Sequence, residues 1–168
     1  MDDYTFEYNR QDEVKYETFE WDSVWIDHAN DKEKKRVLYI GDSISGATRK
    51  VLSTLSGESI LFDGFATSIS LDNPYFKDAI KLFAKQLPKT DVVLFNNGLH
   101  GWHLNEERYG FFYEEMVKFL MEQFKNSEIF ILLTTYVSNP DCKEIGPGRN
   151  KIAEKIARKY YLPRRIVV

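Results

Sequence analysis

Cysteine is nearly absent from this chain: Cys142 is the only one among 168 residues. No intrachain disulfide can form, and the compartment is left open on that score. Histidine is almost as scarce, at His28, His100 and His103, and the chain shows no metal-ligand spacing. It also lacks a Walker loop and a Gly-x-Gly-x-x-Gly turn, which removes the commonest nucleotide-binding signals. No apolar run approaches the roughly 20 residues needed to span a bilayer. Charge of one sign is lacking too: 23 Lys and Arg against 26 Asp and Glu give a net charge of -3. That gives no electrostatic case for nucleic acid or an anionic membrane. Met1 is followed by Asp2 and Asp3 rather than a basic and then apolar leader. The default expectation is therefore cytoplasmic residence, with secretion open for a chain whose leader had been trimmed.

What is present is one domain's worth of sequence, long enough to bury about two-thirds of its unfolded surface. The first 35 residues read as an acidic, aromatic arm. Residues 1 to 30 hold nine acids against two bases. Tyr4, Phe6 and Tyr8, then Val14 and Tyr16, alternate with polar residues and suggest short half-buried strands. Phe19, Trp21 and Trp25 follow. These aromatics pin the arm to its own domain or a partner, or they line a sugar-binding surface.

From Arg36 onward strand and helix alternate. Strand-like runs are Val37–Gly41, Ser59–Phe62, Asp91–Asn96, Glu128–Thr135 and Arg165–Val168. A helix opens at Asn73-Pro74 with Phe76, Ile80, Phe83 and Leu87 on one face. A second spans about 105–125 with Phe112, Met116, Phe119, Leu120 and Phe124 inward. A third spans 149–160 with Ile152, Ile156 and Tyr160 at helical spacing, behind a Gly146-Pro147-Gly148 turn. The pattern implies an α/β domain over 36–168 with a parallel sheet covered on both faces. In the strand order 2-1-3-4-5, ligands bind where the order reverses, at the carboxyl ends of the first and third strands.

The first strand ends there in Ile40-Gly41-Asp42-Ser43-Ile44, and helix-forming sequence follows from Ala47. A serine at a strand-to-helix turn can present its Oγ as a nucleophile, while helix-start amides stabilise negative charge. The competing reading is a turn in which Asp42 or Ser43 only caps the helix.

This run resembles the first block of the SGNH hydrolases, the GDSL esterase/lipase family. Asp91-Val92-Val93-Leu94-Phe95-Asn96-Asn97-Gly98-Leu99-His100-Gly101 is similar to the family's third block in its Asp91-to-Gly98 spacing. Within it, Asn-Asn-Gly-Leu-His resembles a recognisable subgroup. The resemblance places His100 at the family's side-chain oxyanion donor and Gly101 where an aspartate usually stands. Phe62 to Ser70 is the candidate for the second block, and on that resemblance the oxyanion-hole amide would fall on Ser68. The closing Asp-x-x-His block, which carries the base and its orienting acid, has no counterpart, so the resemblance implies a flavodoxin-like three-layer sandwich truncated at its C-terminal end.

The resemblance further implies a serine esterase that removes small acyl groups, including from carbohydrate, without a cofactor. Ser43 would be the nucleophile, and the Ser43 amide, Ser68 and His100 would hold the oxyanion. His103 could substitute as base or simply shape the rim of the site; Asn97 is a minor oxyanion candidate; Arg149 is a weak pointer to an anion. His28 reads as structural. Missing the base, such a chain would hydrolyse p-nitrophenyl acetate poorly. Missing the last covering helix, it would expose apolar area, and a homodimer would cover it. The reading from another class is a non-catalytic domain that binds a partner or glycan; a truncated inactive product is a third.

Overall fold

The computed structural model describes residues 14–135 and 145–166. Tyr4, Phe6, Tyr8 and Cys142 lie outside the described residues. Ten elements follow in order: β1 (Asp22–Trp25), β2 (Lys35–Gly41), α1 (Ser43–Leu55), β3 (Ile60–Thr67), α2 (Tyr75–Ala84), β4 (Val92–Phe95), α3 (Glu106–Gln123), β5 (Glu128–Leu133), α4 (Ile145–Lys159) and β6 (Arg164–Ile166). They form one sheet in the order β1-β3-β2-β4-β5-β6. Strands β3, β2, β4, β5 and β6 run parallel, and β1 pairs antiparallel on the outer edge of β3.

Right-handed crossovers decide the layers. The chain steps from β2 to β3 in one direction, then from β3 to β4, β5 and β6 in the other. Helix α1 therefore packs on one face of the sheet and α2, α3 and α4 on the opposite one. The main core lies under the three helices. Leu38, Ile40, Phe65, Val93, Phe95 and Ile131 of the sheet meet Phe76, Ile80, Met116, Leu120 and Ile156 there. Burying each such side chain fully is worth about 1.5–3 kcal/mol before entropy is subtracted. On the α1 face a smaller cluster gathers Val37, Phe62 and Val92, with Leu52, Leu94 and Phe130 half-buried around it. Val51 and Leu55 of α1 are exposed.

Several boundaries differ from the sequence expectations. Val14 and Tyr16 lie in irregular chain; the arm's strand is the fully exposed β1 instead. The sheet thus has six strands rather than five. Strand β3 runs on to Thr67, five residues past the expected end at Phe62, because β2 pairs with it as far as Ala66 and β1 pairs with Gly64 to Thr67 on its other edge. The helix after β2 starts at Ser43, not Ala47, because the Asp42 side chain accepts hydrogen bonds from the Ile44 and Ser45 N–H groups. In α3 the most buried line is Tyr109, Tyr113, Met116 and Leu120, while Phe112 and Phe119 pack only partly. Gly146-Pro147-Gly148 lies inside the first turn of α4 rather than before it. A proline so near a helix start costs little, since its missing N–H would have no helical partner there.

At the start of β2 the sheet buries an ion pair. Arg36 and Asp63 are both fully buried and meet through two hydrogen bonds of 3.0 Å. His28 lies at this same end, its Nδ1 2.8 Å from Asp27 Oδ1.

Candidate active site

Strands β2 and β4 are neighbours, with Ile40 opposite Phe95 and the Asn96 N–H donating to Ile40 O over 3.0 Å. Their carboxyl ends release the two segments that carry the candidate chemistry. At the end of β2, Asp42 caps α1 and puts Ser43 at its first residue, exposed. Neither the Ser43 Oγ nor its N–H has a hydrogen-bond partner among the described residues. The positive end of the α1 dipole adds to that amide, so the place suits a developing oxyanion. The Asp42 carboxyl is buried, and its second oxygen, Oδ2, has no partner among the described residues. Burial pushes this carboxyl up, against the opposing pull of the Ser45 and Ile44 amides and of His100. Asp42 is therefore a brace for the turn, and capping and presentation of Ser43 are one feature.

At the end of β4, Asn96, Asn97 and Gly98 turn inward. Asn96 Nδ2 donates to Leu132 O and Thr134 Oγ1 of the β5 end, and Asn97 Nδ2 donates to Ile69 O. The loop then passes over Arg149, whose guanidinium donates to Gly98 O (3.2 Å), His100 O (2.5 Å) and Gly101 O (2.7 Å). Arg149 is buried and lies 4.4 Å from the centre of the Tyr109 ring. Burial pushes the Tyr109 hydroxyl up well beyond the usual tyrosine range, so it stays protonated and donates to Asn97 O at 2.6 Å. Arg149 thus shapes the loop from within instead of facing an external anion.

Two glycines make this path. Gly101 has φ +71°, a left-handed conformation that side chains resist. Gly98 packs so closely on Thr134 that an added Cβ would lie 1.6 Å from Thr134 Oγ1. Gly98→Ala is expected to push the loop off the β5 end and to lower stability by at least about 1–3 kcal/mol, the usual cost of overpacking. A urea denaturation midpoint unchanged from wild type would contradict that contact.

The arm lies across this site. Ser68 is fully buried, and its N–H donates to Trp21 O over 3.1 Å while its Oγ bonds the Glu20 carboxylate at 2.7 Å. The Ser68 amide is consumed by the arm and is not a free oxyanion donor in this arrangement; the edge pairing of β1 with β3 is the reason. His100 meets the arm as well. Both Glu17 carboxylate oxygens lie 3.1 Å from His100 Nδ1, Gly101 N–H donates to Glu17 Oε1, and the Trp21 ring stands edge-on to the imidazole.

His103 is paired elsewhere, with its Nε2 2.8 Å from Asp72 Oδ2. Asp72 also accepts from Ser70 Oγ. Burial raises the Asp72 carboxyl, but the Ser70 and His103 bonds outweigh it and hold the group below its ordinary value. Beside these residues an open cleft of about 750 Å³ is walled by Tyr16, Phe19, Trp21, Trp102 and His103. Phe19 is 81 % exposed.

Glu17, Asp72 and the structural role of Arg149 were not legible in the sequence. Glu17 lies 83 residues from its partner His100, and no local spacing could join them. Among the described residues no group of three or more His, Cys, Asp or Glu could hold a metal ion. No helix there is long and apolar enough to cross a membrane.

No protein-family model matches the chain, and no curated protein sequence does. Solved structures do match. The acetyl xylan esterase AlAXEase superposes with a TM-score of 0.57 at 17% identity, covering 78% of this chain and 76% of that one. An acetylxylan esterase from Geobacillus stearothermophilus gives 0.57 at 13% identity, over 77% and 74%. A GDSL-like lipase from Bacteroides thetaiotaomicron gives 0.56 at 15% identity, over 97% and 77%. The chain has the fold that these two acetyl xylan esterases and the GDSL-like lipase share.

Proposed function

We propose that this chain is a serine hydrolase of SGNH type that cleaves small acyl esters, with Ser43 as nucleophile. The observation that carries the reading is the exposed Ser43 at the first turn of α1, without a hydrogen-bond partner among the described residues and beside the β4 loop that holds His100. Ser43 Oγ attacks the ester carbonyl, the Ser43 N–H and the α1 dipole receive the oxyanion, and water resolves the acyl-enzyme. The reaction requires only protein groups. A carbohydrate ester is the favoured substrate class. Two supports are the structural neighbours named as acetyl xylan esterases and the exposed Tyr16, Phe19 and Trp102 rings around the cleft, which suit the apolar faces of sugars.

The experiment is hydrolysis of p-nitrophenyl acetate and of an acetylated xylo-oligosaccharide by wild type and Ser43→Ala. The expected result is turnover of both esters by wild type and only the uncatalysed rate in the variant. Turnover that survives Ser43→Ala would remove the serine mechanism. Activity on the synthetic ester alone would remove the carbohydrate assignment.

A further inference from the structure

A nucleophilic serine needs a base, and the loop after β4 offers two histidines, each holding one carboxylate. They are not equivalent. His100 Nδ1 is bracketed by both oxygens of Glu17 at 3.1 Å, and Glu17 is itself fixed by the Gly101 N–H and by a bond from its own N–H to Glu20. The His100 ring is held by Trp21 on its edge, and its carbonyl by Arg149. A carboxylate on Nδ1 makes that nitrogen the proton carrier, which leaves Nε2 as the acceptor. His100 also stands on the loop that leaves β4 beside the turn that leaves β2, where Ser43 Oγ has no partner among the described residues. His103, by contrast, has Nε2 committed to Asp72 ahead of α2.

We infer that His100 is the general base for Ser43 and that Glu17, from the N-terminal arm, is its positioning residue. This assignment rests on Ser43 being the nucleophile. It replaces the oxyanion role that the family resemblance implies for His100. The groups of either charge that face His100 are Glu17 from the arm, Asp42 from the β2 turn and Arg149 from α4.

The chemistry balances without a further reagent. As the Oγ–carbon bond forms, the Ser43 proton passes to His100 Nε2 and the carbonyl π pair moves to oxygen. Collapse expels the alcohol, which takes the proton back from Nε2, and leaves the acyl-enzyme. Water then adds, giving its proton to Nε2, and the Ser43 oxygen leaves and recovers it.

Covalent labelling of Ser43 by a fluorophosphonate, located by peptide mass spectrometry and timed from about pH 5 to about pH 8, tests the inference. In wild type the rate rises with pH through one ionisation. His100→Gln slows it about 10²–10⁴-fold and flattens the profile. Glu17→Gln slows it by between about tenfold and about 10⁴-fold with the imidazole intact, and Glu17→Asp recovers part of the loss. His28→Gln, at the far end of the sheet, leaves it unchanged. Undiminished labelling in His100→Gln overturns the inference, as does loss of the pH dependence in His103→Gln alone. A rate that falls as pH rises also overturns it, because an imidazolium would then be serving the oxyanion. Each of these outcomes leaves Ser43 labelled and the hydrolase reading intact. A wild-type chain that takes no label on Ser43 removes both. Circular dichroism of each variant separates misfolding from loss of the base.

Discussion

Replacing Asp63 by leucine is expected to cost this domain about 3–5 kcal/mol, the usual penalty for leaving one partner of a buried ion pair alone. The Arg36 guanidinium would keep its hydrogen bonds to the Asp27 and Asp31 carbonyls, but would lose the carboxylate that is hydrogen-bonded to it. The Asp27 N–H would lose its acceptor, Asp63 Oδ1, as well. Burial pushes the Asp63 carboxyl up while the Asp27 amide and Arg36 pull it down, so the carboxylate is held by these partners rather than by solvent. Arg36→Met is expected to be comparably damaging, because it strands the carboxylate. The double substitution is expected to cost less than the sum of the two, since it removes both charges. Urea denaturation of the four proteins measures this. Additive losses would show that the pair does not act as a unit. With ordinary domain stabilities of about 5–15 kcal/mol, either single variant removes a large share of the total.

Arg149→Met is expected to damage stability and activity together. The methionine preserves the unbranched stem but leaves the Gly98, His100 and Gly101 carbonyls without their donor. Each buried group left unsatisfied costs about 1–3 kcal/mol, so a loss of at least about 2 kcal/mol is expected after relaxation. The loop that carries His100 is then free to shift, and a displacement of about 1 Å can cost about 10²-fold in rate. Arg149→Lys is expected to rescue little, because one ammonium cannot reproduce a planar fork that spans three carbonyls and stacks on Tyr109. The checks are thermal denaturation and initial rates on p-nitrophenyl acetate. Wild-type rates in Arg149→Met at a temperature where it remains folded would separate the loop from the chemistry. Full recovery in Arg149→Lys would show that positive charge alone suffices.

Local sequence determined much of this protein. The apolar run Val37–Ile40 ending in Gly41-Asp42-Ser43 reads as a strand, a turn and a helix start because burial, a tight turn and a cap each demand particular residues at particular places. The start of α2 is legible within one residue: its N-cap is Pro74, and Asn73 just ahead of it accepts from the Tyr75 N–H through its side chain. Asn105 does likewise for α3, accepting from the Arg108 N–H. The alternation of such units implies a mainly parallel sheet, since a crossover helix can return the chain only to a parallel neighbour. What the sequence could not supply was the partner of each polar group. The outer edge of β3 is covered by β1, an association between residues 22–25 and 64–67 that neither segment signals. Ser68 looked like a free amide because only the folded arm brings Trp21 O to it. Arg149 read as a weak pointer to an anion beside the Gly146-Pro147-Gly148 turn, yet tertiary packing buries it under three carbonyls and an aromatic ring. Glu17 lay in an acidic arm with no motif of its own, and only the folding of that arm across the ends of β2 and β4 sets its carboxylate on His100. Backbone propensity acts over a few residues, whereas the pairing of buried charges and donors is settled by what the whole fold brings within about 3 Å.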